Sequence, residues 1–437
     1  MGNLDRTRKS LAAGVWAFVT LIPLKALVGG AFVFLVTYLI PVPAESHRDL
    51  QLGCLIGLFA VLFAPFHSFR VLLDVKQEGY FIHQFLILRT LSATVIALVM
   101  ARLGFGIRGQ FLSVFIGDFV FHLSIAFVAL LDYPGLLREI VFQEIDRSSF
   151  RNLWRLNFPN FVTSICSRVS YMTDNIIISL VLSPSFVTPF IVTQRLITFA
   201  GGQIFGIGNA TWASLFQLRT SGNHIAFRKR LLELNRLVMT VGILLLGPIA
   251  AFNSDFVKLW LGSDFYGGHV LTVSACLSAI FLAVIALWSW VFSAEGIMKV
   301  LVPQYVIFSG VNLASSIFFT YKFGNCGPIL GNIFAIFSVT FWVTPRHLKR
   351  HFEIPVGLLY RGVVGPFLAM LPFNVVLWLL AKRYPAQGWL SLILRLGFSF
   401  GFLCVVAWAF VLTPEERGLW KNRISGFLKR KSLLSQK

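Results

Sequence analysis

The sequence predicts an all-α, polytopic membrane protein with about 12 transmembrane helices in two pseudo-symmetric lobes. Its 437 residues are 57% hydrophobic and only 13% charged, with a mean hydropathy of +0.77. Soluble domains carry about 25% charged residues, so a soluble globular protein is excluded. Apolar runs of about 20 residues recur along the chain, and each is long enough to cross a bilayer. Because a backbone in lipid must satisfy its own hydrogen bonds, these runs predict helices.

The apolar runs predict twelve membrane-spanning segments in chain order. The first and sixth are long enough to tilt or kink, and Pro23 and the glycine-rich stretch from Gly201 to Gly208 are the expected places. The segments fall at roughly 11–41, 51–70, 80–101, 110–132, 156–182, 189–217, 232–253, 269–293, 301–321, 328–344, 362–381 and 389–413.

The basic residues predict the orientation of these segments. The net charge of +20 would indicate a nucleic-acid partner in a soluble protein, but membrane proteins collect Lys and Arg on the cytoplasmic side. With a cytoplasmic N-terminus and alternating crossings, 25 Lys and Arg residues fall on the cytoplasmic side and 7 on the other. The sequence therefore predicts an even helix count, both termini inside and no nucleic-acid partner.

The chain lacks the motifs of metal sites and of common enzymes. Its five cysteines form no CxxC or Cys/His cluster, so we expect no disulfide framework, bound metal or cofactor. It also lacks the GxSxG, Walker and HExxH motifs, so we expect no enzyme. A membrane glycosyltransferase or polymerase stays an alternative, although the first outer loop offers only Glu45 and Asp49 as carboxylates.

An internal repeat organises the segments into lobes. A shift of about 220 residues superposes Arg8-Lys9 on Arg228-Lys229 and pairs segments 1–4 with segments 7–10. Repeats in the same orientation are typical of transporters whose pathway runs between the halves. Segments 5 and 6 have no counterpart, so the first helix pair is expected to be missing. The predicted regions are an N-terminal lobe (1–135), a cytoplasmic linker (136–155), a C-terminal lobe (156–350), an extra helix pair (351–413) and a basic tail (414–437).

Polar side chains inside the fifth and sixth segments predict a binding cavity. Ser164, Arg168, Tyr171 and Asn175 recur at helical spacing with Asp174 beside them, and Gln194 and Arg195 lie in the next segment. Guanidinium groups prefer planar, bidentate partners such as carboxylate or phosphate. The pattern favours a water-filled cavity for an anionic headgroup, with Asp174 orienting Arg168. The alternative is an internal ion pair of Arg168 with Asp174 or Asp118.

Three polar residues mark the third and fourth segments. Arg89 and Asp118 are candidates for a binding site in the first lobe, and His122 follows Asp118 by one helical turn. Charged groups at this depth are costly and are functional candidates by default. An Asp–His pair can carry protons, and a buried pair that joins two helices explains the same residues equally well.

From about residue 55 to 350 the chain resembles the polysaccharide-biosynthesis flippases, the O-antigen and lipid-linked-oligosaccharide transporters of the multidrug/oligosaccharidyl-lipid/polysaccharide exporter superfamily. The resemblance lies in a Pro-started helix, Phe158-Pro159-Asn160 through Asp174-Asn175, in Leu259-Trp260-Leu261-Gly262 and in Ala294-Glu295-Gly296 with Lys299. Asn312 and Gly324-Asn325-Cys326-Gly327 extend it. It implies a V-shaped pair of six-helix lobes, alternating access, an absent first helix pair and a cationic cavity that would map onto Arg168 and Arg195.

The predicted function is a flippase that moves an undecaprenyl-pyrophosphate-linked polysaccharide precursor across the bacterial cytoplasmic membrane. Expected partners are the lipid-linked oligosaccharide, membrane lipids, and the glycosyltransferases and polymerase of a polysaccharide assembly system. A cation-coupled multidrug exporter of the same superfamily is the first alternative, and it predicts an acid-rich cavity. A remnant that has lost transport together with its first helix pair is a further alternative.

Overall fold

The computed structural model describes residues 2–40, 43–75, 78–132, 147–414 and 416–418. These residues form helices and short connections without a strand, which confirms the all-α, polytopic class. The chain divides into two compact units, Met1–Phe158 (unit 1) and Pro159–Lys437 (unit 2).

Among its described residues, unit 1 contains five helices and the beginning of a sixth. Pro65 lies in a 3₁₀ turn, Ala60–Phe66, that connects the second helix to the third. Pro23 lies inside the first helix, which continues through it. The helices are α1 (Gly2–Leu39), α2 (Ala44–Phe59), α3 (His67–Val75), α4 (Gly79–Arg102) and α5 (Gly106–Asp132).

Apolar packing and one glycine contact hold unit 1 together. Leu73, Ile82 and Ile125 are almost fully buried in a cluster that joins α3, α4 and α5. A Cβ at Gly53 would lie 2.7 Å from the Phe111 ring, so only glycine lets α5 approach α2 this closely. The resulting bundle places the polar residues of α4 and α5 next to each other.

Within the described part of the chain, unit 2 contains most of α6 and nine further α-helices. Two short π-helical segments, Ile336–Thr340 and Ala407–Val411, interrupt the α-helical pattern. The helices are α6 (Arg147–Met172), α7 (Asp174–Val181), α8 (Val187–Thr220), α9 (His224–Trp260), α10 (His269–Ala294), α11 (Val302–Phe323), α12 (Gly327–Ala335), α13 (Phe341–Phe352), α14 (Val356–Arg383) and α15 (Trp389–Val406).

Pro159 does not begin a helix, so the expectation of a Pro-started helix is wrong. The structure places Pro159 inside α6, which begins at Arg147 and therefore includes residues 147–155 of the predicted linker. Proline is tolerated inside a helix of a membrane protein because other groups satisfy the freed carbonyl. The rest of the linker, residues 136–146, lies outside the described residues, as do 415 and 419–437 of the predicted tail.

Buried side-chain amides join the helices of unit 2. Trp288 Nε1 donates to Asn235 Oδ1 at 2.8 Å, and Asn235 Nδ2 donates to the Leu359 carbonyl at 2.8 Å. Asn332 Nδ2 donates to Ser278 Oγ at 2.8 Å. Helices in lipid gain little from apolar contact with each other, so such hydrogen bonds and close packing specify their arrangement. Asn235 thus connects α9, α10 and α14.

Ten helices among the described residues are long and apolar enough to span a membrane. One of them, Val302–Phe352, is a 51-residue stretch that folds back on itself. Gly324 has a φ of +65° and lies at the turn. Across this turn, Ser315 Oγ on α11 donates to the Gly331 carbonyl on α12 at 3.1 Å. The first two helices of the stretch, α11 and α12, therefore form a helical hairpin. The count of twelve, the orientation and the missing helix pair remain predictions.

Candidate functional site

A polar cleft of about 760 Å³ opens within unit 2, between helices α6, α7, α8, α10, α11 and α12. Its wall combines apolar side chains with hydroxyl and amide groups. Among the described lining residues, Asp174 is the only Asp, Glu, Lys, Arg or His. The polar lining residues are Asn160, Thr163, Ser164, Ser167, Tyr171, Asp174, Gln194, Thr198, Ser278, Ser289, Ser293, Tyr305, Asn332 and Thr340.

Helix α6 presents its polar face to this cleft. Asn160, Ser164, Ser167 and Tyr171 follow each other by four, three and four residues, which places them on one side of the helix. Ser167 Oγ donates to the Thr163 carbonyl at 2.9 Å, so its donor is satisfied while its lone pairs remain available. The part of the cleft wall that α6 forms therefore offers uncharged hydrogen-bond acceptors.

Asp174 occupies a distinct position at the first residue of α7. The helix is interrupted at Thr173, where Oγ1 donates to the Val169 carbonyl at 2.6 Å. The Asp174 side chain is buried, and its Oδ1 has no hydrogen-bond partner among the described residues. A carboxylate at a helix N-terminus is favoured by the backbone dipoles. Asp174 thus presents an unused acceptor at the cleft wall.

The predicted cleft residues divide into two groups. Tyr171, Asp174 and Gln194 line the cleft. Arg168 and Asn175 are exposed and lie outside the lining. No ion pair between Arg168 and Asp174 occurs among the described residues, so Asp174 does not orient Arg168 here.

Arg168 and Arg195 flank the cleft without lining it. Arg168 follows the lining residue Ser164 by one turn, about 40° further around α6. Arg195 follows the lining residue Gln194 by about 100° around α8 and is also exposed. Each guanidinium group therefore lies at an edge of the polar face of its helix.

Helix α10 contributes cleft residues that the sequence analysis missed. Ser278 accepts the hydrogen bond from Asn332, and Ser289 and Ser293 lie further along the same face. Trp290 also lines the cleft and meets the Phe205 ring edge to face at 4.7 Å. The four-residue spacing from Ser289 to Ser293 was the only available signal, and it is weak in a helix this apolar.

The polar residues of unit 1 form a separate group. Arg89 Nε donates to Asp118 Oδ1, an ion pair that joins α4 to α5 with both side chains partly exposed. His122 Nδ1 donates to the backbone carbonyl of Asp118 at 2.7 Å. The predicted Asp118–His122 side-chain pair is therefore replaced by an Arg89–Asp118 pair with His122 bonded to the backbone.

The helices and the cleft define a polytopic, α-helical membrane protein with a polar cavity inside one helical unit. No protein-family model and no curated protein matches the sequence. Among solved structures, the chain is similar to lipid II flippase MurJ in its inward closed conformation. The TM-score is 0.67 at 14% identity, over 93% of this chain and 85% of that chain. A likeness at this identity shows that the two chains share a fold.

Proposed function

We propose that this chain is a flippase that translocates a lipid-linked, anionic polysaccharide precursor across the bacterial cytoplasmic membrane by alternating access. The observation that carries the proposal is the fold, which is similar to that of lipid II flippase MurJ over 93% of the chain. A 760 Å³ polar cleft within a chain of apolar helices supports the same function. The glycosyltransferases and polymerase of a polysaccharide assembly system are the partners that would supply and consume this substrate.

The composition of the cleft matches a glycan better than a charged headgroup. Sugar hydroxyls both donate and accept, and the serine, threonine, tyrosine and amide groups of the wall complement them. The carboxylate of Asp174 accepts hydrogen bonds and so suits a hydroxyl donor. We place the sugar in the cleft for this reason.

The pyrophosphate is proposed to bind at the edge of the cleft, between Arg168 and Arg195. Both side chains are exposed, and neither forms an ion pair within the described part of the chain. A charged residue in mid-helix costs about 2.5–3.5 kcal/mol on insertion scales. A phosphate that accepts bidentate hydrogen bonds from these guanidinium groups would offset that cost. Asn175 is exposed on α7 and is assigned no contact in this arrangement.

Arg89 and Asp118 are proposed to stabilise unit 1 and to be the counterpart of the binding site in the first lobe. Their mutual ion pair satisfies both charges, so neither is free to bind pyrophosphate alone. The Arg89 side chain is 35% exposed, which leaves its remaining N–H donors accessible for a second acceptor.

The second candidate function is a cation-coupled exporter of organic cations. The observation that favours it is the cleft wall, where Asp174 is the only charged residue among the described lining and has a free oxygen. A cationic drug would find a carboxylate and aromatic rings such as Trp290 there.

One experiment separates the two functions. The full-length chain is reconstituted into liposomes that carry a fluorescent undecaprenyl-pyrophosphate-linked oligosaccharide, and a membrane-impermeant quencher reports its leaflet. The flippase predicts protein-dependent movement of the glycolipid that a cationic dye does not inhibit. Dye transport that depends on Asp174, without movement of the glycolipid, would establish the exporter instead.

A further inference from the structure

A histidine pair lies inside unit 1. His122 on α5 and His67 on α3 meet edge to face, with ring centroids 5.2 Å apart and planes at 83°. His122 is 8% exposed, whereas His67 is exposed. The pair therefore joins a buried imidazole to an exposed one.

The hydrogen bond of His122 fixes the form of its ring. A backbone carbonyl only accepts, so the 2.7 Å contact to the Asp118 carbonyl requires the proton on Nδ1. In the neutral ring Nε2 then carries the free lone pair. Nε2 is buried and has no hydrogen-bond partner among the described residues. An unpartnered basic nitrogen therefore lies inside the helical bundle.

Three phenyl rings contact the His122 ring. Phe63 stacks on His122 with centroids 5.3 Å apart and planes at 17°, and Phe121 meets it edge to face at 5.2 Å. Phe66 approaches from a third direction at 6.3 Å. The face of a phenyl ring attracts a cation, so the Phe63 ring stabilises an imidazolium as well as a neutral imidazole.

Four charged side chains among the described residues lie around the pair. Lys25 on α1 and Arg70 on α3 are positive and lie near His67. Arg89 on α4 and Asp118 on α5 form the ion pair one turn from His122. The Asp118 carboxylate also acts on His67, so it connects the two imidazoles electrostatically.

We propose that His122 and His67 form a proton-binding site, in which a proton from water enters at His67 and is held on His122 Nε2. The Nε2 lone pair forms the new N–H bond, the ring becomes a +1 imidazolium, and release returns the proton to water. His67 lies eight residues before Val75, about 12 Å along α3 from the predicted cytoplasmic loop. The further role of this site, coupling proton movement to substrate movement, rests on the proposed function.

The proton site is tested without substrate. The full-length protein, labelled with ¹⁵N-histidine, is titrated in lipid nanodiscs from about pH 4.5 to 8.5 and compared with His122→Asn. The asparagine amide can still donate to the Asp118 carbonyl but has no basic nitrogen. His83→Asn is the matched control, because His83 is exposed on α4 and outside the pair.

The wild-type protein and His83→Asn are expected to show two imidazoles that titrate as a coupled pair. His122→Asn is expected to lose one titrating ring, and His67 then titrates as a single independent site. A His122 ring that does not change over the whole range overturns the proposal. So does an identical His67 titration in wild type and His122→Asn. His67→Gln supplies the reciprocal test if His122→Asn fails to fold.

Coupling is tested by the final distribution of the fluorescent glycolipid between the leaflets. An uncoupled flippase stops at an equal distribution, whereas one coupled proton and a gradient of two pH units support up to ~100-fold accumulation. Accumulation in wild type and His83→Asn, but not in His122→Asn, supports coupling. Equal distribution in all three refutes coupling. If no variant moves the glycolipid, the proposed function fails, and the ¹⁵N titration still decides the proton site.

Discussion

Replacing Asn235 with leucine tests how the helices of unit 2 are joined. Asn235 and Trp288 are fully buried, and the amide satisfies the Trp288 N–H at 2.8 Å. Leucine has the same number of side-chain heavy atoms in the same branched arrangement, so the change removes the hydrogen bonds and keeps the shape of the side chain. The Leu359 carbonyl also loses the Asn235 donor, although as a helical carbonyl it keeps its own backbone partner.

The expected loss follows from the Trp288 donor. An unsatisfied buried donor costs about 1–3 kcal/mol, and water cannot replace the lost acceptor at this depth. We therefore expect Asn235→Leu to lower the free energy of unfolding by about 2 kcal/mol. The measurement is thermal unfolding of the full-length protein in one detergent at fixed concentration, because bound lipid shifts apparent stability.

The double substitution Asn235→Leu with Trp288→Phe completes the test. Trp288→Phe removes the donor, so Asn235→Leu should destabilise the Trp288→Phe background less than it destabilises the wild type. An equal effect of Asn235→Leu in both backgrounds would refute the reasoning. It would show that lost packing, and not the orphaned donor, accounts for the effect.

Two further predictions concern close contacts and pH. Gly331→Ala places a Cβ 2.5 Å from the Ser316 backbone nitrogen, so α11 and α12 must separate; we expect a lower melting temperature, and an unchanged one would contradict this contact. Burial alone would raise the pKa of Glu416, but hydrogen bonds from the backbone of Thr413 and from Arg236 outweigh it and hold the pKa below its ordinary range. The stabilisation is therefore complete at neutral pH and lost as the pH falls through the lowered pKa. Glu416→Gln should flatten the acid limb of a melting-temperature profile, and an unaltered profile would count against the assignment.

The sequence predicts the class of fold because membrane-spanning helices follow from hydropathy alone. Tyr171 and Asp174 belong to a polar stripe that the sequence shows on an apolar helix, and both line the cleft. A stripe covers a wide arc, however, and periodicity does not tell which part of the arc faces the cleft. Periodicity therefore places Arg168 in the stripe, whereas the structure places it at the edge of the arc that faces the cleft.

The rest depends on contacts that a single sequence does not contain. The break at Thr173 changes the phase between α6 and α7, so Asn175 leaves the face that the helical period had assigned to it. Pro159 is a strong stop signal by local rules, and only tertiary packing shows that α6 continues through it. The Ser278–Asn332 hydrogen bond joins residues 54 positions apart.

The proposed function requires the cleft and its two flanking guanidinium groups to hold an anionic, lipid-linked glycan. The most direct measurement is the rate of glycolipid movement between leaflets for wild type, Arg168→Ala, Arg195→Ala and the control Lys322→Ala at the end of α11. A charge-assisted hydrogen bond is worth about 1.5–3 kcal/mol, so each arginine variant should lower the apparent affinity about tenfold or more, with Lys322→Ala unchanged. Absence of protein-dependent movement in wild type, or unchanged movement in both arginine variants, would contradict the account.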